Sequence, residues 1–347
     1  MLAFYNEHHA QHRGKHEMFR GVQVAAFEKP ERADMVAAEF GRRGLGQIVT
    51  PHGVPLMSLE KIHTPRYLHF LRNAWSDWLA LDPDNAARDA FPSVWPIRSL
   101  RHDIEPENFS ARMGLYSMDS GTPLTSGTWI AAKTGADCAV NAAHALRLGE
   151  RSSFALTRPP GHHAGADFFG GYCFLNNAAL AAQHLLDDGA HKVGILDIDY
   201  HHGNGTQSIF YQRNDVLFTS IHADPSTEFP FYLGHADETG EGPGAGFNMN
   251  IPLAAGSTPA AWFAALETAC YKLAAFGADA LVVSLGVDTF IGDPLSHFSL
   301  ASGDFLRVGE RIAALNLPTV FVMEGGYAVA EIGINVVNVL EGFETAA

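Results

Sequence analysis

Five short apolar segments, separated by stretches with helical periodicity, constrain the fold of this chain more than any other feature. Each segment is continuous and rich in Val, Ile, Leu and Phe, which is typical of strands that are buried on both faces. They are Ser153–Thr157, Lys192–Asp199, Val216–Ile221, Ala280–Leu285 and Thr319–Glu324. Strands that alternate with helices form βαβ units with right-handed crossovers. The sequence therefore predicts an α/β fold with a central, mostly parallel sheet and helices on both faces.

The helical stretches between these segments carry start and stop signals. Residues 126–149 and 176–189 begin with residues that commonly cap helices and end at a glycine. A third stretch begins at Ser257, has Pro259 at its start and ends at Gly277. Proline is favoured at the start of a helix and glycine just after its end. We expect each stretch to form a helix.

Two regions lack this alternation. Residues 1–21 and residues 83–127 show little periodicity, and the second region is rich in turn-forming residues. Long irregular segments in a compact protein usually line an active site or form an interface, so we expect active-site or interface loops here. No repeat or obvious linker divides the sequence, and we interpret residues 1–347 as a single domain.

The charge balance narrows the possible partners. The sequence has 38 acidic and 23 basic side chains, and its formal net charge is −15. This argues against nucleic acid, whose phosphates require neutralising cations, and it favours attraction of cationic partners or substrates. From composition alone, solubility is the preferred explanation of the charge. No apolar segment reaches the length of a membrane span, and the N-terminus lacks a signal-peptide core. The three cysteines are widely spaced, which fits a reducing compartment. We expect a soluble, cytoplasmic protein without membrane contact.

A polar motif follows four of the five predicted strands. The motifs are RPPGHHAG, DIDYHHGNG, GVDTF and EGGY, and they follow the segments that begin at Ser153, Lys192, Ala280 and Thr319. Ligands bind outside the carboxyl ends of the strands in open parallel sheets. The sequence therefore predicts that the four motifs meet at one edge of the sheet.

Two of these motifs offer metal ligands. Asp199 and His201 are two residues apart, and in an extended chain such side chains point the same way. Asp288 follows a different strand and can supply a third ligand. Two carboxylates and one imidazole leave one position open in a tetrahedral zinc site, as catalysis requires. The ligand set alone also fits Fe²⁺, Co²⁺ or Mn²⁺.

The other two motifs offer acid–base groups. His162 and His163 are adjacent on a glycine-flanked turn, and a neutral imidazole is a competent base near pH 7. Tyr327 follows two glycines and can donate a hydrogen bond to a developing oxyanion. The sequence contains no GxSxG motif, so a serine nucleophile is not favoured.

In this order, the motifs resemble the histone deacetylase superfamily of zinc amidohydrolases, and within it the bacterial acetylpolyamine amidohydrolases. The matching segments are RPPGHHAG, FGGYCFLNNAA, ILDIDYHHGNGTQ, VVSLGVDTF and VMEGGY, and the similarity runs from HEMFRG to the C-terminus. The resemblance implies an arginase-deacetylase α/β fold. It implies removal of acetyl groups from acetylputrescine, acetylcadaverine or acetylspermidine. It also implies a homodimer in which residues 83–127 narrow the substrate channel.

The resemblance implies two metal ions. One catalytic zinc ion per chain would be bound by Asp199, His201 and Asp288. A structural potassium ion is expected close to it. The residues expected around the potassium ion are Asp197, Asp199, His201, Ser220 and Ile221.

The resemblance also assigns the acid–base chemistry. His163 would be the general base and acid, and His162, oriented by Asp197, would be its electrostatic companion. Tyr327 would polarise the amide carbonyl. The residue that backs the second histidine is Asp in some members of the family and Asn in others, and here it is Asn204. A neutral partner raises an imidazole pKa less than a carboxylate does, so we expect His163 to be unprotonated at neutral pH.

The substrate contacts follow from the same resemblance. The backbone of Gly171 would hydrogen-bond the substrate amide, while Tyr172 and Phe229 would form an aromatic tunnel around the alkyl chain. Acidic side chains of the long loops would meet the distal ammonium group. The candidates for this contact are Glu17, Glu105, Glu107 and Asp119.

Three other functions remain open. A protein acetyl-lysine deacetylase would share every catalytic residue and differ in access to the site. A binuclear manganese ureohydrolase of the arginase type is the second alternative, because SLGVDTFIGDP faintly resembles the metal motif of that family. A non-catalytic metal-binding or ligand-binding module is the third, although it would not need the paired histidines or Tyr327. A further metal site is conceivable at His8, His9, His12 and His16, where a loop at the active-site rim is the favoured interpretation.

Overall fold

The computed structural model describes residues 1–346, and its centre is an eight-stranded parallel sheet. Neighbouring strands in this sheet are parallel throughout. The strands are β1 (Leu2–Tyr5), β4 (Gln47–Val49), β5 (Ser152–Leu156), β6 (Val193–Asp197), β7 (Val216–Ala223), β8 (Asn248–Leu253), β9 (Ala280–Leu285) and β10 (Thr319–Met323). A separate antiparallel hairpin consists of β2 (His16–Phe19) and β3 (Val22–Ala25).

Helices cover both faces of the sheet, whose strand order is β4-β1-β5-β10-β9-β6-β7-β8. The α-helices are α1 (Glu31–Arg43), α2 (Leu56–Leu59), α3 (Pro65–Leu81), α4 (Phe109–Leu115), α5 (Thr128–Arg147), α6 (Asn177–Asp187), α7 (Asn204–Phe210), α8 (Pro259–Phe276), α9 (Ser302–Ala313) and α10 (Ile332–Thr345). One apolar core lies between the sheet and α3, α4, α5 and α6. The other lies between the sheet and α1, α8, α9 and α10. The predicted α/β class with helices on both faces is confirmed.

The five predicted strands are confirmed with small shifts at their ends. All residues of β5, β6, β7, β9 and β10 are buried, which explains their continuous apolar sequence. The predicted helix ends of α8 are also present. The Thr258 side chain accepts a hydrogen bond from the backbone nitrogen of Ala261 at 3.3 Å, and Gly277 adopts a φ of +70°. Glycine tolerates that conformation without steric cost.

The N-terminal region differs from its prediction as a loop. Residues 1–21 include β1, which pairs with β4 and β5 inside the central sheet, and β2 of the hairpin. Residues 83–127 contain a 3₁₀ turn at Pro83–Ala87 and α4, joined by irregular segments. None of the helices within residues 1–346 combines the length and the apolar character needed to span a membrane.

Candidate active site

The loops that follow β5, β6, β9 and β10 meet at the carboxyl edge of the sheet, where the four polar motifs were predicted to converge. His162 follows β5, Asp199 follows β6 and Asp288 follows β9. The Nε2 atom of His162 lies 3.8 Å from Oδ1 of Asp199. The ring of His163 lies 6.1 Å from the ring of His201. Residues far apart in sequence therefore form one cluster because the strands that carry them are parallel neighbours.

Asp199, His201 and Asp288 form a compact group of potential metal ligands. The Nδ1 atom of His201 lies 3.0 Å from Oδ2 of Asp288 and 3.4 Å from Oδ1 of Asp199. One ligand atom from each residue lies within 4.8 Å of the others. Both carboxylates are buried, and burial together with the charge of Asp199 raises the pKa of Asp288 to about 7. Two adjacent buried carboxylates with an imidazole suit a divalent cation, which neutralises their charge.

Backbone donors hold the two carboxylates in place. Oδ1 of Asp288 accepts a hydrogen bond from the Tyr200 nitrogen at 2.7 Å. Oδ2 of Asp199 accepts one from the Gly325 nitrogen at 2.8 Å. A Cβ atom at Gly325 would lie 2.5 Å from this same oxygen and 2.6 Å from Oδ2 of Asp288. The first glycine of EGGY, Gly325, thus allows the backbone to approach both carboxylates closely.

His162 is buried and held in its charged form. Its Nδ1 atom lies 3.0 Å from Oδ2 of Asp197, and its backbone nitrogen donates to Oε2 of Glu324 at 3.1 Å. Burial opposes the charged imidazole, but Asp197 and Asp199 outweigh that penalty and raise the pKa of His162 to about 10. The imidazole of His162 is therefore protonated at neutral pH and carries a positive charge beside His163.

His163 has the opposite electrostatic environment. Its Nδ1 atom lies 2.7 Å from Oδ1 of Asn204, and its ring centroid is 4.0 Å from that of His162. Burial, followed by the charges of His162 and His201, lowers the pKa of His163 well below 6.5. If Nδ1–H donates to the Asn204 oxygen, Nε2 carries the lone pair. A neutral imidazole in this tautomer can accept a proton at neutral pH.

Tyr327 is buried next to these groups. Its ring lies 5.6 Å from the ring of Tyr172, and the Arg32 guanidinium lies 4.8 Å from its centre. Burial raises the pKa of the Tyr327 phenol well above 10. The phenol therefore stays protonated and can donate a hydrogen bond across the physiological pH range.

Asp293 is a site residue that sequence reasoning missed. Its Oδ2 atom accepts hydrogen bonds from the backbone nitrogens of Tyr327 at 2.6 Å and Ala328 at 3.1 Å. Its Oδ1 atom accepts one from Leu295 at 2.9 Å. The sequence signal that could have identified it is an Asp-Pro pair whose aspartate lies five residues after Asp288. Both oxygens are engaged by backbone donors, so the arginase-like appearance of SLGVDTFIGDP corresponds here to loop support.

An aromatic ring and the backbone of a glycine lie against His163. The ring of Phe229 lies 5.0 Å from the His163 ring. Gly171 adopts a φ of +54°, and a Cβ atom there would lie 2.2 Å from Cδ2 of His163, so only glycine fits. Tyr172 follows with a φ of +66°. The structure therefore places Gly171 and Phe229 against the ring of His163, and the tunnel predicted for Tyr172 and Phe229 stays a prediction.

Three of the four predicted acidic contacts are already engaged by protein donors. Glu17 accepts hydrogen bonds from the Tyr172 hydroxyl at 2.7 Å and from the Phe27 nitrogen at 2.9 Å, and Glu105 accepts one from the Tyr116 hydroxyl at 2.6 Å. Asp119 accepts backbone hydrogen bonds from Gly171, Gly121 and Thr122. Glu107 is exposed. Backbone amides and tyrosine hydroxyls thus donate to three of the four carboxylates, and the contact between these acidic side chains and a substrate ammonium stays a prediction.

The residues expected around potassium lie at the ends of two neighbouring strands. Asp197 is the register partner of Ser220 across β6 and β7, and Ile221 follows Ser220. The Ser220 hydroxyl lies 2.8 Å from Nδ1 of His222. Asp199 and His201 continue the chain beyond Asp197, so the five residues are spatial neighbours.

The N-terminal histidines have other partners. Nε2 of His9 lies 2.8 Å from the Tyr5 hydroxyl, and Nδ1 of His12 lies 3.0 Å from the Thr128 hydroxyl. Across the described part of the chain, no group of potential metal ligands includes His8, His9, His12 or His16.

Comparison with known proteins shows the family of the chain. The sequence profile of the histone deacetylase domain matches residues 26–343. The chain belongs to the histone deacetylase family. It is a hydrolase of amide bonds with the arginase-deacetylase fold that the resemblance implied.

Relatives of this deacetylase cover its whole length. It is 55% identical to acetylpolyamine amidohydrolase 2 of Pseudomonas aeruginosa over 99% of both chains. It is 46% identical to acetylpolyamine amidohydrolase of Mycoplana ramosa, again over 99% of both. The crystal structure of acetylpolyamine aminohydrolase from Burkholderia pseudomallei superimposes with a TM-score of 0.95 at 37% identity, covering 100% of this chain and 99% of that one.

Proposed function

We propose that this protein is a zinc-dependent amidohydrolase that converts acetylated polyamines to acetate and free amine. The observation that carries the proposal is the group Asp199, His201 and Asp288 beside a neutral His163 and a protonated Tyr327. Full-length relatives at 46–55% identity, named for action on acetylpolyamines, support the substrate class.

The proposed metal fits its ligand set. Asp199, His201 and Asp288 would hold zinc through two carboxylates and one imidazole, which leaves a position for exchange. A bound zinc ion would supply Lewis-acid polarisation and acidify water. The raised pKa of Asp288 supports this assignment, because an adjacent cation relieves the repulsion between the buried carboxylates.

The protein groups then move and stabilise charge. His163 takes a proton from the water that attacks the acetamide carbon, and it later gives a proton to the leaving nitrogen as the C–N bond breaks. Tyr327 donates a hydrogen bond to the oxygen of the tetrahedral intermediate. His162, kept charged by Asp197, holds the His163 pKa down so that the base is ready at neutral pH.

The substrate channel would select a narrow cationic chain. Tyr172 and Phe229 would enclose the alkyl portion, and the Gly171 carbonyl would accept the amide N–H. Glu107 would meet the distal ammonium directly. Glu17 accepts a hydrogen bond from Tyr172, and Asp119 accepts one from Gly171. Both carboxylates would add negative charge next to the channel. Acetylputrescine, acetylcadaverine and acetylspermidine fit this description, and the net charge of −15 favours them.

A panel assay tests the substrate assignment. Acetate release is measured for the three acetylpolyamines, for an uncharged N-alkylacetamide of equal length, and for acetyl-lysine in a folded protein. We expect the highest kcat/KM for the cationic small amides. Preferential activity on the acetylated protein would favour the alternative function, a protein acetyl-lysine deacetylase, which uses the same catalytic residues.

Two further assignments rest on the family resemblance. Potassium would bind near Asp197, Asp199, His201, Ser220 and Ile221. Residues 83–127 would form a homodimer contact, which is supported by their exposed apolar side chains. These are Val94, Ile97, Leu100 and Ile104. Light scattering of the purified protein tests the dimer directly.

A further inference from the structure

Helices α5 and α6 pack against each other and carry three potential metal ligands at their C-terminal ends. His144 lies in the last turn of α5, His184 lies in the last turn of α6, and Asp188 is the residue that ends α6. Oδ2 of Asp188 lies 3.3 Å from Nδ1 of His144 and 3.4 Å from Nε2 of His184. The three atoms all lie within 4.8 Å of one another.

These separations match those of a metal site. Bonds of about 2.0–2.1 Å in a tetrahedral zinc site place neighbouring ligand atoms roughly 3.3 Å apart. The corresponding separations in the candidate active site are 3.0 and 3.4 Å. His184 and Asp188 are four residues apart, which places them on the same face of the helix. His144 completes the group from the neighbouring helix.

The His184 nitrogen gives an independent indication. Its Nε2 atom is buried and, among the described residues, makes no hydrogen bond, although it lies 3.4 Å from Oδ2 of Asp188. A buried polar nitrogen without a hydrogen bond is costly. A cation between His184 and Asp188 would satisfy both groups.

The helix ends add favourable electrostatics, and one neighbour opposes them. Helix C-termini carry partial negative charge and favour cations, and two of them meet here. Arg147 opposes binding: its Nε atom lies 4.0 Å from Oδ2 of Asp188, and its Nη1 atom donates to the Asp188 carbonyl at 2.7 Å. Arg147 is largely exposed, so its repulsion of a bound cation is reduced by solvent.

This group lies at the opposite edge of the sheet from the candidate active site. The C-terminal end of α5 leads into the start of β5, and that of α6 leads into the start of β6. The catalytic residues follow the ends of those strands. We propose that His144, His184 and Asp188 form a second site for a divalent transition-metal ion, with zinc as the ion tested, and that the ion links α5 to α6.

Counting metal per chain tests the site. Tag-free, metal-stripped protein is dialysed against zinc, and bound zinc is quantified for wild type, His144→Ala and His144→Ala/His184→Ala. We expect each variant to bind one zinc ion fewer than wild type and to hydrolyse substrate at the wild-type rate. Each variant should also lose the part of the zinc-induced rise in Tm that requires the second equivalent of zinc. An unchanged ion count in the double variant would overturn the proposal.

Two controls sharpen the result. His69→Ala removes an exposed histidine on α3 and should leave the ion count unchanged. Arg147→Gln should tighten the second binding event, because it removes the opposing cation. The test does not depend on the active site: if Asp199, His201 and Asp288 bound no zinc, the double variant would still bind one ion fewer than wild type.

Discussion

The Oδ2 atom of Asp293 accepts a hydrogen bond from the backbone nitrogen of Tyr327 at 2.6 Å. The same oxygen accepts a second one from Ala328, and Oδ1 accepts one from Leu295. The loop after β9 thus fixes the start of the segment that carries the phenol. A phenol stabilises an oxyanion only when it is held in the correct place, so Asp293 acts as a positioning residue for Tyr327.

Replacing Asp293 with alanine is expected to lower kcat with little change in KM. Displacing a catalytic group by about 1 Å lowers the rate roughly 100-fold. The double variant Asp293→Ala/Tyr327→Phe should be no slower than Tyr327→Phe alone, because both changes remove the same contribution. Steady-state kinetics on acetylputrescine give both comparisons, and fully additive losses would show that Asp293 acts elsewhere.

Tyr327→Phe is expected to lower kcat by roughly 10²–10³-fold, the usual effect of losing one donor to an oxyanion. The phenol stays protonated at neutral pH because burial raises its pKa, so the loss should be similar from pH 6 to pH 9. Tyr271→Phe is the matched control, since Tyr271 is 77% exposed. Unaltered kcat in the Tyr327 variant would exclude the phenol from the reaction.

Asn204→Asp is expected to move the acidic limb of the kcat/KM profile to higher pH. The Asn204 oxygen lies 2.7 Å from Nδ1 of His163, and a carboxylate there would favour the imidazolium and raise the His163 pKa. Below that pKa the base is protonated, so activity is lost at a higher pH than in wild type. A limb that stayed in place or moved to lower pH would contradict the assignment of His163 as base.

Glu28→Gln is expected to reduce the free energy of unfolding by ~3–5 kcal/mol, the usual cost of removing one partner of a buried ion pair. Glu28 accepts hydrogen bonds from Arg32 at 3.0 Å and from Arg158 at 2.6 and 2.7 Å, and all three residues are buried. Urea unfolding measures the change. Glu31→Gln, whose side chain is 50% exposed, should differ from wild type by less than about 0.5 kcal/mol.

Sequence motifs predicted the centre of the site because its residues directly follow buried strands. Once β5, β6, β9 and β10 were recognised from their apolar sequence, a parallel sheet required their loops to meet at one edge. The supporting contacts could not be read in the same way. Asp293 is an example: the Asp-Pro pair that contains it is visible in the sequence, but its role depends on where the backbone amides of Tyr327 and Ala328 lie.

There is also a physical reason why several strands could not be predicted from the sequence. β4 has three residues, and β8 has the mixed sequence NMNIPL with a proline, which edge strands tolerate. β1 is four residues long and borders a histidine-rich segment. Its burial comes from pairing with β4 and β5, which no local pattern reveals. The same limitation applies to Glu17, Glu105 and Asp119, whose tyrosine and amide donors come from neighbouring turns and loops.

The most direct test of the account is a zinc titration of metal-stripped His144→Ala/His184→Ala protein, with acetate release from acetylputrescine as the readout. We expect no activity without metal and a linear rise that ends at one equivalent of zinc per chain. Full activity in the stripped protein, or no recovery with zinc while the fold is intact, would contradict the proposed zinc-dependent deacetylation.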